Sequence, residues 1–92
     1  MLFVTEYTFR SGMDKAQVQR LMDLFAKRGA EPGEVAHYVK SDGTGGFTID
    51  EVDDPATPYA AALAYNEFIE FHTSPVLKID DAIGPITTYL GS

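Results

Sequence analysis

The first apolar segment of the chain, residues 2–10, predicts a β-strand that is covered on both faces. Its β-branched and aromatic residues form two alternating sets, and both sets lean towards apolar side chains. Phe3 and Tyr7 point to one side, whereas Leu2 and Val4 point to the other. A strand of this kind is expected at the centre of a sheet.

The next apolar pattern has helical spacing and predicts an α-helix over residues 14–28. Asp14 and Gln17 have the spacing of a capping box, and Gly29 can close the helix with a positive φ. Four apolar residues recur at helical spacing on one side: Val18, Leu21, Met22 and Phe25. This stripe is expected to face the sheet.

Two further strands are predicted at residues 35–40 and 47–52. The segment between them, residues 41–46, combines an Asp-Gly pair with paired glycines and is typical of a hairpin loop. Within the third strand, Phe47, Ile49 and Glu51 alternate with Thr48, Asp50 and Val52.

A second helix is expected after Asp54, which can cap it, with Pro55 at the first helical position. The pair Thr57-Pro58 offers an alternative start. The helical composition continues to about Glu67, but residues 68–73 also alternate like a strand, so the end of the helix stays open.

The tail from about residue 76 is ambiguous. Residues 76–79 can extend the last strand, and Asp80-Asp81 can cap a short C-terminal helix that Gly84-Pro85 would interrupt.

The element order β-α-β-β-α-β predicts a single α+β domain over residues 1–92, with a ferredoxin-like antiparallel sheet and both helices on one face. Two helices cover only one face of the sheet, yet the first strand is apolar on both. A second copy of the chain is the simplest cover for the other face, which predicts a homodimer.

Charge and composition narrow the possible partners. The net charge is −7, and residues 41–92 carry nine acids but a single base, Lys78. This balance disfavours nucleic acid, and no apolar run has the ~20 residues needed to cross a membrane. The absence of cysteine excludes disulfides and thiolate metal sites, and the start of the chain does not read as a signal peptide, so a soluble cytoplasmic protein is expected.

The chain contains no catalytic or cofactor-binding motif of known spacing. A P-loop, a G-x-S-x-G elbow, a zinc-binding H-E-x-x-H and an acidic calcium loop are all missing from the sequence. We therefore expect neither a cofactor nor a metal ion.

Glu51 and His37 are the candidate catalytic residues. Glu51 continues the apolar set of Phe47 and Ile49, and a carboxylate held on an apolar face can act as an acid or a base. His37 lies on the neighbouring strand and could share the same face. The competing interpretations are an outward-facing Glu51 and a hydrogen-bonded core histidine.

Glu6, Tyr7 and Tyr38 are the candidate ligand-binding residues. Glu6 is a carboxylate within the first strand, and the two tyrosines combine an apolar ring with a polar hydroxyl. Simple packing of the aromatic rings in a small core is the alternative.

Several segments resemble a bacterial family of small domains of unknown function in the dimeric α+β barrel superfamily. They are Met-Leu-Phe leading to Tyr7-Thr8-Phe9, Glu31-Pro32-Gly33, residues 46–54, residues 68–71 and residues 74–76. The resemblance covers about residues 1–77 and implies a dimer. Similar barrels include cofactor-independent monooxygenases, haem-degrading enzymes, aromatic-polyketide cyclases and non-catalytic sensors. The haem-degrading pattern is not met, because the chain has no tryptophan and no asparagine on its first strand.

These observations favour a non-catalytic dimeric module that binds a small apolar ligand or a protein partner. The alternative is a cofactor-independent monooxygenase or cyclase-like enzyme that acts on an aromatic or polyketide-like substrate. A third possibility is docking on another macromolecule through the acidic second half.

Overall fold

The computed structural model describes residues 1–91 and shows four strands and three helices in that range. They are β1 (Leu2–Phe9), α1 (Lys15–Arg28), β2 (Glu34–Val39), β3 (Gly45–Glu51), α2 (Ala56–Tyr65), β4 (Ile69–Val76) and α3 (Ile79–Gly91). The strands form one antiparallel sheet in the order β2-β3-β1-β4. The predicted α+β, ferredoxin-like fold is confirmed, with a third helix added at its end.

β1 is a central strand, as predicted, because it pairs with β3 on one side and β4 on the other. Phe3, Thr5 and Tyr7 on one side of β1 are buried. Tyr7 packs there in a core cluster with side chains from the helices and from the start of β4: Leu21, Tyr65, Phe68 and Ile69. This is the helix-covered face of the sheet.

The opposite side of the sheet contributes no residue to the core cluster, and we call it the open face. Cross-strand pairing places these residues on it: Leu2, Val4, Glu6, Thr8, Ala36, Tyr38, Phe47, Ile49, Glu51, Glu70, His72, Ser74 and Val76. Glu6 and Thr8 are exposed, whereas Leu2 and Val4 are half-buried. The predicted cover for the second face of β1 is therefore not supplied by the described part of the chain.

α1 begins and ends as its sequence predicts. Asp14 accepts a hydrogen bond from the Gln17 backbone N–H at 2.8 Å, and its own N–H donates to the Gln17 side chain at 3.0 Å. Gly29 adopts a φ of 69°, and its N–H donates to the Phe25 carbonyl. The capping box fixes the register of α1 and hence the direction of its apolar stripe.

The hairpin between β2 and β3 is shorter than predicted. Gly45 and Gly46 belong to β3, so the predicted loop over residues 41–46 is wrong at its end. A Cβ on Gly45 would overlap the Tyr7 carbonyl, and one on Gly46 would lie 2.6 Å from the Tyr7 hydroxyl. Both glycines are needed for close approach of β1 to β3 rather than for a turn.

A β-bulge changes the predicted alternation of β2. Glu34 pairs with Asp50 and Ala36 pairs with Ile49, which leaves Val35 without a partner. Val35 is exposed, and the bulge removes it from the side of β2 that His37 and Val39 occupy. His37 and Val39 keep their places on the helix-covered face because the bulge precedes them.

The end of α2 and the course of β4 resolve an ambiguity of the sequence. Asp54 accepts a hydrogen bond from the Ala56 N–H at 2.9 Å, and the helix runs from Ala56 to Tyr65, shorter at both ends than predicted. β4 then continues through Pro75. Proline is tolerated there because β4 is an edge strand and needs ladder bonds on one side only.

α3 continues through Pro85, so the predicted interruption at Gly84-Pro85 is wrong. A proline inside a helix removes one backbone hydrogen bond but does not always end the helix. Asp80 and Asp81 occupy the first turn, where the helix dipole favours acids. None of the α3 residues is buried.

Candidate functional site

An apolar cleft of about 810 Å³ lies between the helix-covered face of the sheet and the helices α1 and α2. The sheet lines the cleft with Thr5, Tyr7, Phe9, His37, Thr48, Asp50 and Phe71. The helices line it with Val18, Leu21, Met22, Phe25, Ala61 and Tyr65. Its size and its few polar groups are those of a small-molecule site.

The cleft is open because α1 packs loosely on the sheet. Leu21 is the buried residue of α1. The rest of the apolar stripe stays accessible, since Val18 is 45%, Met22 52% and Phe25 42% exposed. The predicted stripe thus faces the sheet without filling the space in front of it.

Tyr7, His37 and Glu34 form a polar chain along one wall. The Tyr7 hydroxyl lies 2.6 Å from His37 Nε2, and His37 Nδ1 lies 3.8 Å from Glu34 Oε1. Burial raises the pKa of the Tyr7 hydroxyl, and the charge of Glu34 adds to the rise. Tyr7 therefore stays protonated, and its hydroxyl can donate a hydrogen bond to Nε2 of a neutral His37. In that tautomer the Nδ1 proton of His37 faces Glu34.

Asp50 is the buried acid of the cleft, with only 9% of its surface exposed. Thr48 donates a hydrogen bond from its hydroxyl to Asp50 Oδ2 at 3.1 Å, whereas Asp50 Oδ1 is buried without a partner. Burial raises the pKa of the Asp50 carboxyl; the Thr48 hydrogen bond opposes this rise, Glu31 adds to it and His37 opposes it. Asp50 therefore combines a dry location with an unused hydrogen-bonding atom.

Glu51 shares a face with Phe47 and Ile49, as predicted, but the predicted burial of Glu51 and its predicted neighbour His37 are wrong. Glu51 lies on the open face, its side chain is 58% exposed, and its carboxylate pairs with the Met1 amine at 3.0 Å. His37 lies on the opposite face, so the two candidate catalytic residues do not meet. The alternation along β3 is as predicted, but Thr48 and Asp50, rather than Glu51, are the polar residues of β3 that face the helices.

The structure also separates the three predicted ligand-binding residues. Tyr7 lines the cleft. Glu6 lies on the open face opposite Phe47, and Tyr38 is exposed there with its ring 5.3 Å from that of Phe47. Of the predicted residues, Tyr7 and His37 are brought together in the cleft, and Glu6, Tyr38 and Glu51 lie outside it.

Asp50, Thr48 and Glu34 are cleft residues that the sequence did not single out. The signal that could have found Asp50 was its place in the same alternating set as Thr48. That set is polar, so hydrophobicity assigns it to solvent, whereas the structure turns it towards the cleft.

Within residues 1–91, no group of three or more histidine, aspartate or glutamate side chains is placed to hold a metal ion. Within the same range, the helices lack the combination of length and apolarity that crossing a bilayer requires.

Comparison with known families identifies the domain but not an activity. Residues 1–89 match the family model described as a domain of unknown function (DUF3303), so the chain belongs to that family. The match includes α3 except for its last two residues. None of the curated proteins matches the chain.

Proposed function

We propose that this member of the DUF3303 family is a non-catalytic dimeric module that holds a small, largely apolar ligand in the cleft. The main support for this proposal is the cleft, whose volume of about 810 Å³ lies within the range of small-molecule sites. Its walls are mainly apolar, and the sheet side contributes the polar groups of Tyr7, His37 and Asp50.

The exposed stripe of α1 supplies the driving force for binding. Full burial of a valine, methionine or phenylalanine side chain contributes about 1.5–3 kcal/mol. Val18, Met22 and Phe25 are each roughly half exposed, so a ligand in the cleft gains part of that contribution from each. Leu21 and Tyr7 already pack together in the core and hold the two walls in position.

We expect Ala61→Phe to weaken binding of the neutral fluorescent probe N-phenyl-1-naphthylamine by at least roughly tenfold, which is ~1.4 kcal/mol. Ala61 lines the cleft, and a phenyl ring there would occupy space that the ligand needs. The matched control is Ala60→Phe, because Ala60 is exposed on the same helix. The measurement is a fluorescence titration of both variants and the parent chain.

Equal affinities of the two variants would contradict the assignment of the site to the cleft. If the parent chain binds no probe, the ligand-binding proposal fails and a module that binds a protein partner becomes the better account.

Two copies paired through their open faces would give a dimeric α+β barrel. The open face supports this arrangement because Val4 and Ile49 form an apolar cross-strand pair at its middle, flanked by Phe47 and Tyr38. α3 adds a second apolar surface: Ile79, Ile83, Ile86 and Leu90 recur along one side of the helix and are all exposed. A second copy would cover both surfaces with one symmetric contact.

Light scattering at micromolar concentration should return twice the chain mass of 10.1 kDa. Ile49→Lys should give a monomer, since it would place a charge at the centre of the open face. Leu63→Lys is the control: Leu63 is a large exposed apolar residue of α2, away from the open face. A monomeric parent chain would refute the dimer.

A proton-transfer enzyme is the second candidate function, and the polar chain of Tyr7, His37 and Glu34 favours it. His37 can act as a general base through Tyr7: the Tyr7 hydroxyl gives its proton to His37 Nε2 as its oxygen removes one from the substrate, and Glu34 faces the Nδ1 side of the ring. Removal of a proton beside a carbonyl is a step that a cyclase-like or cofactor-independent oxygenase reaction would need. Aromatic or polyketide-like ketones are the corresponding substrates.

The enzyme candidate predicts exchange of the α-protons of 2-tetralone in D₂O, followed by NMR. General-base catalysis typically contributes 10²–10⁴-fold, so His37→Gln should lower the exchange rate by about that factor. Exposed His72→Gln is the matched control. If exchange is no faster with the parent chain than with His37→Gln, the enzyme candidate fails and the non-catalytic proposal remains.

A further inference from the structure

The polar groups of the cleft converge on one region of the sheet wall. Cross-strand pairing sets His37 and Thr5 beside Thr48, and Glu34 beside Asp50. Thr5 is engaged by Thr73 across the sheet at 2.9 Å. In this region Asp50 Oδ1 stands out, because it is the side-chain atom within residues 1–91 that is buried without a hydrogen-bond partner.

The hydrogen bond from Thr48 fixes the role of each Asp50 oxygen. Oδ2 accepts the Thr48 hydroxyl proton, so it acts as the carbonyl-type oxygen when the carboxyl group is protonated. The acid O–H then lies on Oδ1, where no protein acceptor meets it. A buried donor without an acceptor is costly, and a ligand acceptor in the cleft would remove that cost.

Charges at the cleft disfavour an anionic ligand. Glu31 and Glu34 line it together with Asp50, and Glu31 is paired with Arg28, whose Nε lies 2.7 Å from Glu31 Oε1. Arg10 also lines the cleft, but its guanidinium donates to Asn66. A ligand carboxylate would therefore meet the charge of Glu34, while Arg28 and Arg10 are already engaged by other groups.

We propose that the cleft selects an uncharged, largely apolar ligand whose carbonyl oxygen accepts a hydrogen bond from the protonated carboxyl of Asp50. This inference rests on the proposed function and adds the chemical class of the ligand. The apolar part of the ligand lies against Met22 and Phe25 of α1, and its carbonyl faces β3.

The selection depends on pH in a stated direction. Four groups face or adjoin Asp50: Glu31 from the loop before β2, Glu34 and His37 from β2, and Thr48 from β3. Burial raises the pKa of Asp50 above its ordinary value, so the donor is present below that raised pKa and is lost as the pH rises through it. Above it, a carboxylate cannot donate and repels a carbonyl oxygen.

The test compares 2-acetylnaphthalene with 2-isopropenylnaphthalene, in which a CH₂ group replaces the carbonyl oxygen, and with 2-naphthoate. Affinities for the parent chain, Asp50→Asn and Asp50→Leu are measured by NMR titration at several pH values. A neutral hydrogen bond corresponds to roughly a three- to tenfold preference for the ketone at low pH in the parent chain. The preference should fade as the pH rises, and 2-naphthoate should bind most weakly at every pH at which it is ionised.

The two variants separate the donor from the shape of the site. Asp50→Asn keeps an N–H donor, so its preference for the ketone should persist at every pH; Asp50→Leu should bind ketone and hydrocarbon alike. Equal affinities for ketone and hydrocarbon in the parent chain, or tighter binding of 2-naphthoate, would overturn the inference and leave the cleft as a ligand site. Failure of all three probes to bind would overturn the proposed function itself. If Asp50→Leu does not fold, the pH profiles of the parent chain and Asp50→Asn still decide.

Discussion

Replacing Leu21 by alanine should lower the free energy of unfolding by about 2–5 kcal/mol, the usual cost of truncating a buried leucine. Leu21 is the buried residue of α1, and it packs in the core cluster with Tyr7, Tyr65 and Phe68. Its truncation removes the buried side chain by which α1 packs on the sheet, leaving the partly buried Leu24 as the remaining apolar contact of α1 with the core cluster. The helix wall of the cleft should then move, and binding of cleft probes should be lost with it.

Met22→Ala is the matched control because Met22 is the next residue of α1 and is 52% exposed. It should cost less than about 1 kcal/mol, since little packing is lost at an exposed site. Urea denaturation followed by circular dichroism measures both values, at one protomer concentration because a dimer's stability depends on it. A Leu21→Ala variant as stable as Met22→Ala would show that α1 is held by other contacts.

Replacing Gly46 by alanine should also be severe, with a loss of about 3 kcal/mol or more. The added Cβ would lie 2.6 Å from the Tyr7 hydroxyl and would overlap the Tyr38 carbonyl. Tyr7 would have to leave its position above Gly46, which breaks its hydrogen bond with His37. Both the stability of the fold and the polar chain of the cleft therefore depend on the absence of a side chain at Gly46.

Gly84→Ala provides the control for Gly46→Ala. Gly84 lies inside α3 and a Cβ there meets no atom within 4 Å. Alanine in a helix interior is favoured over glycine by roughly 0.5–1 kcal/mol, so this variant should be as stable as the parent chain or slightly more stable. A Gly46→Ala variant within ~0.5 kcal/mol of the parent chain would show that β1 and β3 can separate without penalty.

Local signals in the sequence predicted local structure well. The capping box of Asp14 and Gln17 forms as expected, because its hydrogen bonds join residues three positions apart. The alternation of β1 and β3 is also reproduced, since side chains of a strand point to opposite faces whatever the fold. These features need no knowledge of distant contacts.

Features that depend on distant contacts were mispredicted. Gly45 and Gly46 have the composition of a turn, but they are placed in β3 by the approach of Tyr7 from a strand far away in sequence. The alternation of β3 does not say which set faces the helices. Hydrophobicity therefore predicts a buried Phe47-Ile49 set, whereas the polar Thr48-Asp50 set lines the cleft.

The wrong prediction for the buried face of β3 and the prediction of a dimer rest on the same observation. Both faces of this sheet carry apolar residues although helices cover only one of them, so hydrophobicity alone cannot identify the helix-covered face. Ile49 and Val4 on the open face fit a surface that a second copy covers. Asp50 on the other face fits a site that a ligand reaches.

The most direct test of the central claim is to locate a bound probe by NMR. Intermolecular nuclear Overhauser effects are recorded between 2-acetylnaphthalene and the side chains of the protein. If the probe binds in the cleft, it should contact the methyl groups of Leu21 and Met22 and the ring of Phe71, all of which line the cleft. Contacts confined to Val4 and Ile49 on the open face, or no contacts at all at saturating probe, would contradict the claim that the cleft is the ligand-binding site.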